Sequence, residues 1–199
     1  MRKISFICFF SFINVVAYSQ VTFGVKSGIN IATVKDINAH PDNRLGWYGG
    51  AAAYFPLHKK FFFVPELLYS SKGYSDIGNL YETQKTVVKL NYLTAPLQFG
   101  YRIDHKTSLL FGPEIGYLLS AYQKSPYNTL NVSYNFPVKV DVELDIGLRY
   151  KIIERTEIEI RYTYGFKNMY TRDITGVRVG DALAGNRVFQ IGCLFSLRK

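Results

Sequence analysis

The sequence predicts an all-β fold: an eight-stranded antiparallel up-and-down transmembrane β-barrel with short periplasmic turns and longer extracellular loops. Three observations indicate it. Strand-length segments alternate between apolar and polar residues, the connections between them alternate between short and long, and glycines fall on the polar side of the strands. Because successive side chains of a strand point to opposite faces of a sheet, each strand has one polar face and one apolar face.

The alternation is clearest between residues 141 and 166. Charged residues occupy odd positions in the first half of this stretch, and Val, Leu, Ile and Tyr occupy the even ones. After a break at residues 153–155 the pattern resumes, with Glu157, Glu159 and Arg161 on the polar side. The same analysis along the chain predicts eight strands in a single domain. They lie at Val21–Ile31, Leu45–Leu57, Lys60–Ser71, Val87–Ile103, Thr107–Ala121, Val138–Lys151, Thr156–Phe166 and Arg187–Leu197.

The connections between these strands differ in length. Short turns join the second and third strands, the fourth and fifth, and the sixth and seventh; they lie at His58-Lys59, Asp104-His105-Lys106 and Ile153-Glu154-Arg155. Long connections join the others, at Ala32–Arg44, Lys72–Thr86, Tyr122–Pro137 and Lys167–Asn186. An even number of strands with short turns at one end and long loops at the other is typical of outer-membrane barrels. Both chain termini then lie on the periplasmic side.

A soluble, lipocalin-like barrel has the same period with the opposite orientation, apolar inside and charged outside. The glycines favour the membrane orientation. On the polar parity lie Gly24, Gly28, Gly50, Gly100, Gly112, Gly116, Gly147, Gly165 and Gly192. Glycine inside a strand usually marks a place where something approaches closely, and an eight-stranded barrel is barely wide enough for its interior side chains. Inward glycines therefore leave room for Arg, Glu and Tyr, whereas the bulky apolar parity suits lipid.

Aromatic residues on the apolar parity agree with this orientation. Phe61, Tyr101 and Tyr150 lie near the short turns, and Trp47, Tyr69, Tyr164 and Phe166 lie near the long loops. Aromatic girdles of this kind mark the two membrane–water interfaces of outer-membrane barrels. Lipid should therefore meet the apolar face, and the charged face should fill the lumen.

The N-terminal residues predict export. Arg2 and Lys3 precede an apolar run from Ile4 to Tyr18, and small residues before Gln20 suit a signal peptidase. The run is shorter than the roughly 20 residues that a membrane-spanning helix needs. We expect residues 1–19 to be a signal peptide, cleaved between Ser19 and Gln20, and residues 20–199 to be the barrel domain in the outer membrane of a Gram-negative-type cell.

The composition favours some kinds of partner and argues against others. Only Cys193 remains after cleavage, so no disulfide within the chain is expected. Removing Arg2 and Lys3 from the 24 basic residues leaves 22 against 15 acidic ones. Export and the scattered placement of these charges argue against a nucleic-acid partner. We expect a monomer in contact with outer-membrane lipid, and leave open an extracellular or periplasmic protein partner.

The polar parity carries the candidate site residues, a structural charge network in the lumen. Its predicted members are Lys26, Glu66, Arg102, Glu114, Asp141, Glu143, Asp145, Arg149, Glu157, Glu159 and Arg161. We interpret them as ion pairs that fill the interior, because buried charges need opposite partners.

Catalytic and metal-binding alternatives lack matching motifs. Asp141, Glu143 and Asp145 resemble the start of a calcium loop, but Ile146 and Ile152 occupy the positions that need glycine and a bidentate glutamate. The histidines are His40, His58 and His105, and none has a nearby serine at a spacing that suggests a triad. No catalytic residue, metal or cofactor is therefore predicted.

Several segments resemble the PorT-like family of outer-membrane β-barrel proteins. They are FGVKSGINIA (23–32), FFFVPELLYSSKGY (61–74), LNYLTAPLQFGYRI (90–103), FGPEIGYLLSAY (111–122), IEIRYTYGF (158–166) and FQIGCLFSL (189–197). The resemblance implies a signal peptide, an eight-stranded porin-like barrel and the outer membrane, and the family includes a participant in type IX protein secretion. The chain departs from the usual aromatic ending of such barrels, since Phe195 is followed by four further residues.

We therefore predict a non-enzymatic integral outer-membrane barrel with a closed, charged lumen, acting in envelope structure or surface interaction. An accessory role in type IX secretion is the main alternative, followed by a small pore and an outer-membrane enzyme. The loop Tyr122–Pro137 is rich in Tyr, Asn and Ser, which suit adaptable contacts with a partner. The short turns are basic, with Lys59, Lys60, Lys106 and Arg155.

Overall fold

The computed structural model describes residues 21–35, 41–77, 85–136, 138–166 and 185–197. Within these residues the chain forms strands and one short 3-10 helix at Ser133–Asn135. The strands are β1 (Thr22–Lys35), β2 (Asp42–His58), β3 (Phe61–Ile77), β4 (Lys85–Arg102), β5 (Thr107–Lys124), β6 (Thr129–Asn131), β7 (Val140–Ile153), β8 (Thr156–Gly165) and β9 (Gly185–Ser196).

Eight of these strands close into an antiparallel barrel. Each pairs with its neighbours in the order β1, β2, β3, β4, β5, β7, β8 and β9, and β9 pairs with β1 to complete the ring. The short β6 lies outside this ring and pairs with the last residues of β5. The predicted eight-stranded antiparallel up-and-down barrel is therefore confirmed. Closure satisfies the backbone hydrogen bonds of every strand, which is what a chain needs in order to cross lipid.

Strand ends agree with the sequence on one side of the barrel and differ on the other. At the short turns, which we call the inner end, predicted and observed limits differ by two residues at most. At the long loops, the outer end, β1 continues to Lys35 and β3 to Ile77, beyond the predicted Ile31 and Ser71. The apolar alternation stops where lipid stops, whereas the ladder of backbone hydrogen bonds continues into the aqueous space.

The two faces of the barrel are those that the alternation predicts. On β4 and β5, Leu93, Phe99, Phe111 and Ile115 are exposed on the outside, and their lumen-facing neighbour Gln98 is buried. This orientation excludes the soluble lipocalin-like alternative, in which the apolar side chains would fill the interior. None of the described residues forms a helix long and apolar enough to span a membrane.

Aromatic pairs lie on the outer surface at both ends. At the inner end, the ring centroids of Phe61 and Tyr101 are 5.2 Å apart. At the outer end, Trp47 and Tyr69 are 4.9 Å apart, and Tyr164 and Phe166 are 5.2 Å apart. These pairs occupy the predicted girdle positions, where amphipathic rings suit the membrane–water interface.

Glycines make room for a large aromatic side chain inside the barrel. Gly28 on β1 pairs with Gly192 on β9, and the fully buried Tyr48 packs over both. A Cβ on Gly28 would lie 2.7 Å from a ring carbon of Tyr48 and 2.6 Å from the Cα of Gly192. Glycine is therefore required at position 28 because Tyr48 fills the space that a larger side chain would need in this narrow lumen.

We expect Gly28→Ala to destabilise the barrel by about 1–3 kcal/mol, because the added methyl overpacks the interior. The matched control is Gly49→Ala, on the lipid side of the neighbouring strand, where a Cβ would meet its nearest atom at 3.5 Å. Urea unfolding in detergent micelles measures both variants. Equal stability of the two would contradict the packing role of Gly28.

Candidate functional site

Arg161 on β8 lies at the centre of a group of ion pairs in the inner half of the lumen. Its Nη2 lies 2.9 Å from Oε2 of Glu66 and 2.7 Å from Oε1 of Glu159, and its Nη1 lies 3.4 Å from Oδ2 of Asp145. Strand alternation explains this convergence. Glu159 and Arg161 are two residues apart on one strand and face the same side, and β3 and β7 contribute the other carboxylates.

Two further cations complete this group. The Nζ of Lys26 on β1 lies 2.9 Å from Glu66 and 2.6 Å from Glu159. The Nη2 of Arg149 on β7 lies 2.7 Å from Glu159 and 3.6 Å from Glu66. We call the group the inner charge cluster; it comprises Lys26, Glu66, Asp145, Arg149, Glu159 and Arg161. It holds three cations and three carboxylates, so its charge is balanced, which a desolvated ion network requires.

A second group lies nearer the outer end and contains one cation. The Nζ of Lys72 on β3 lies 2.8 Å from Oε1 of Glu114 and also pairs with Oε2 of Glu143. Next to them, Asp141 accepts a hydrogen bond of 2.7 Å from the amide of Asn186. We call this group the outer charge cluster; it comprises Lys72, Glu114, Asp141 and Glu143. All four of its charged side chains are buried.

Apolar side chains close the lumen on both sides of the charges. The inner cap consists of Ala52, Phe62, Val64, Leu110 and Leu194. The outer cap consists of Val34, Val88, Leu90, Tyr92, Leu118, Ala121, Val132 and Phe136. Among the described residues, the paired charges therefore lie between two clusters of apolar side chains.

The predicted lumen residues differ in how deeply they are buried. Nine are buried in the two clusters: Lys26, Glu66, Glu114, Asp141, Glu143, Asp145, Arg149, Glu159 and Arg161. The side chain of Glu157 is 28% exposed and lies 3.5 Å from Arg149. Ser19 and Gln20, the predicted cleavage site, lie outside the described residues.

Arg102 differs from the prediction. It is the last residue of β4 and is exposed at the inner end, so it does not join the buried ion pairs. Its guanidinium lies 6.0 Å from the ring of Phe62, and its Nη2 donates a 2.6 Å hydrogen bond to the hydroxyl of Tyr54. Arg102 therefore covers the inner cap.

Lys72 is the charged lumen residue that the sequence analysis missed. The predicted third strand ended at Ser71, so the next position received no facing direction. The signal was present, because the parity that places Glu66, Leu68 and Ser70 inside also places Lys72 inside once β3 is extended. Lys72 is the one cation of the outer charge cluster, so the omission left Glu114 and Glu143 without their partner.

The described residues offer no reaction centre of a familiar kind. They contain no group of three or more His, Cys, Asp or Glu side chains placed to hold a metal ion. His58 and His105 are exposed at the short turns, and His40 lies outside the described residues. The buried carboxylates that form ion pairs in this part of the chain face Lys26, Lys72, Arg149 or Arg161.

The loop after β5 presents aromatic side chains to the outside. Tyr127 is 85% exposed and Tyr134 is 80% exposed, and Leu130 between them is also exposed. We call Tyr127, Leu130 and Tyr134 the outer loop surface. Exposed aromatic residues of this kind supply contact area at a low cost in conformational entropy.

Neighbouring residues hold this loop in place. Val132 and Phe136 are buried in the outer cap. The backbone N–H of Ala121 donates a 2.9 Å hydrogen bond to Oγ of Ser133, and Nζ of Lys139 donates one of 3.0 Å to its carbonyl oxygen. The aromatic side chains are therefore displayed from a backbone that is anchored to the barrel.

The inner end presents basic side chains. Lys59, Lys60, Lys106 and Arg155 are exposed at the short turns, and Nζ of Lys60 lies 5.6 Å from the ring of Tyr101. The carboxylate of Asp104 accepts hydrogen bonds from its own turn. The backbone N–H groups of Lys106 and Thr107 each donate a 2.7 Å hydrogen bond to its carboxylate and hold the pKa of that carboxyl below its usual value.

Comparison with known proteins agrees with this architecture. Residues 16–171 match the family described as outer membrane protein beta-barrel domain. Ail, the attachment invasion locus protein of Yersinia pestis, is 13% identical, with a TM-score of 0.54 over 88% of this chain and 98% of its own. Neisserial surface protein A is 12% identical, with a TM-score of 0.55 over 87% of this chain and 96% of its own. No curated protein matches the sequence.

We expect Arg161→Leu to destabilise the barrel by about 3–5 kcal/mol, because it leaves buried carboxylates without their shared cation. The matched control is Arg155→Leu at an exposed turn, which should change the free energy of unfolding by about 0.5 kcal/mol or less. Urea unfolding, followed by the fluorescence of Trp47, measures both. A small effect at Arg161 would contradict the central role of this residue.

We also expect the unaltered protein to conduct no sustained ion current in planar bilayers, because paired charges and two apolar caps close its lumen. Single-channel recording tests this, and stable open channels would show that the caps do not seal.

Proposed function

The chain belongs to the family of outer membrane protein beta-barrel domains, and from this membership we propose that it is a non-enzymatic barrel that presents a binding surface outside the cell. In this proposal residues 1–19 direct export, the monomeric barrel sits in outer-membrane lipid, and the sealed lumen serves stability alone. The specific work is done by the outer loops, because function on a rigid scaffold is usually carried by loops.

The outer loop surface is the observation that carries this proposal. Tyr127 and Tyr134 remain exposed while their neighbours Val132 and Phe136 are buried. Anchoring lowers the entropy that the loop would lose on binding, and this favours recognition of a partner over a loose cover for the barrel. Tyrosine side chains with a few exposed polar neighbours suit either a protein surface or a sugar.

A protein of the same fold offers support by its name. Ail is called an attachment invasion locus protein, and a second structure of Ail contains the heparin analogue sucrose octasulfate. At 12–13% identity the likeness concerns the fold, so attachment through the outer loops of this chain is our proposal.

An accessory role in type IX secretion is the second candidate. It is favoured by the segments that resemble the PorT-like family and by the basic inner end, since a cluster of exposed positive charge can attract an acidic periplasmic partner. The two candidates place the functional surface at opposite ends of the barrel, so variants can separate them.

We expect the double variant Tyr127→Ser/Tyr134→Ser to lose surface attachment while retaining the folded barrel, because both side chains are exposed and neither belongs to the outer cap. Attachment of cells lacking the endogenous gene is measured after complementation with each variant. Gel mobility of unboiled protein reports folding.

The control neutralises the inner end with Lys59→Gln, Lys60→Gln, Lys106→Gln and Arg155→Gln, and it should restore attachment fully. If this control fails and exported cargo accumulates in the periplasm, while the double tyrosine variant behaves as the wild type, the secretion role is favoured over surface attachment.

A further inference from the structure

The two charge clusters of the lumen differ in their balance. The inner charge cluster sets three cations against three carboxylates, whereas the outer charge cluster sets Lys72 against Glu114, Asp141 and Glu143. All three of these carboxyl groups are buried. If each were ionised, a sealed compartment would hold two uncompensated negative charges, and burial makes such charges costly.

Two of these carboxyl groups share one cation and lie on neighbouring strands. Glu114 on β5 and Glu143 on β7 are directly paired across neighbouring strands, so their side chains point into the lumen side by side. Lys72 bonds to Oε1 of Glu114 and to Oε2 of Glu143. The remaining oxygen of each, Oε2 of Glu114 and Oε1 of Glu143, is buried with no hydrogen-bond donor among the described residues.

The charged groups around the pair have other partners. Arg161 bonds to Glu66, Glu159 and Asp145. Asp145 also accepts hydrogen bonds from Thr163 and Gln98.

The remaining neighbours bring no second cation. Asp141 is bonded to the amide of Asn186, and the ring of Tyr92 lies 5.5 Å from Nζ of Lys72. Lys72 is therefore the one cation, among the described residues, that forms an ion pair with Glu114 and Glu143.

We propose that one proton is bound between Glu114 and Glu143, so that the pair carries a single negative charge and is matched by Lys72. The other excess charge stays on Asp141, whose carboxylate accepts a hydrogen bond from the amide of Asn186. Two carboxylates that share a desolvated site do not both ionise, and a shared proton supplies a donor for the two oxygens that lack one. A proton fits where a metal ion does not, because the described residues place no group of three acidic, His or Cys ligands around one point. Glu114 and Glu143 are each 1% exposed, so the site is shielded from water.

The proposal predicts a sign for the dependence of stability on pH. An unfolded glutamate releases its proton above about pH 4.3, whereas the folded barrel retains one. Folding at neutral pH therefore takes up a proton, and this site makes the folded state less favourable as pH rises. One proton corresponds to a tenfold change in the unfolding equilibrium constant per pH unit.

The test compares Glu143→Gln with Glu66→Gln, a matched change in the balanced inner charge cluster. The amide of the first variant can donate to Glu114 in place of the proton, so the unfolding equilibrium constant should stay within about tenfold of the wild type. The second variant removes a carboxylate that faces three cations, and the constant should rise more than about 100-fold. Between about pH 6 and 8, Glu143→Gln should lose a one-proton slope that Glu66→Gln retains.

Infrared spectroscopy of the folded protein provides a second readout. The wild type should show a carboxylic-acid carbonyl band that shifts in heavy water, that disappears in Glu143→Gln or Glu114→Gln and that persists in Glu66→Gln. Absence of this band in the wild type would overturn the proposal, and it can be measured even if a variant fails to fold. A rise in stability on adding sodium, potassium or calcium ions would also overturn it, by indicating a bound cation in place of the proton.

Discussion

An eight-stranded barrel encloses a lumen barely wide enough for its own side chains, and this narrowness governs the rest of the molecule. Lipid outside requires an apolar outer face, so strand alternation sends the other half of the side chains inward. Those that are charged lose water and must find partners within the lumen. Arg161 meets this requirement by reaching three carboxylates that come from three different strands. Ion pairs such as Lys26–Glu159 and Arg161–Glu66 thus connect strands that are far apart in the sequence.

The same narrowness explains the glycines and the caps. Tyr48 fits inside because Gly28 and Gly192 have no side chain to occupy its place, and Phe62 lies against Gly100 in the same way. Large apolar side chains toward the two ends keep water from the ion pairs, and a low local polarity strengthens those pairs. Charges in the middle and apolar residues at the ends therefore depend on each other.

The sequence predicted the strands better than the interior. Period-two alternation and turn lengths identified eight strands, because both are local features that a barrel imposes on every segment. Three parts of the interior were not predicted. Lys72 lies beyond the point where lipid maintains the alternation. Arg102 lies on the lumen-facing parity of β4, but it is the last residue of that strand and is exposed at the inner end of the barrel. The caps contain apolar residues such as Phe62 and Leu90, which lie on the lumen-facing parity that the sequence analysis interpreted as polar. Their grouping near the two ends of the barrel depends on how the strands pair, which the sequence does not show.

This division between a fixed interior and an exposed loop also bears on where function can change. A substitution inside the lumen affects several partners at once, since Glu66 alone contacts Lys26, Arg149 and Arg161. Tyr127 and Tyr134, in contrast, belong neither to the ion pairs nor to the caps. Exposed positions of this kind tolerate substitution with little change in stability. The interior therefore constrains the sequence far more tightly than the outer loop surface does, because each lumen charge must keep several partners in place.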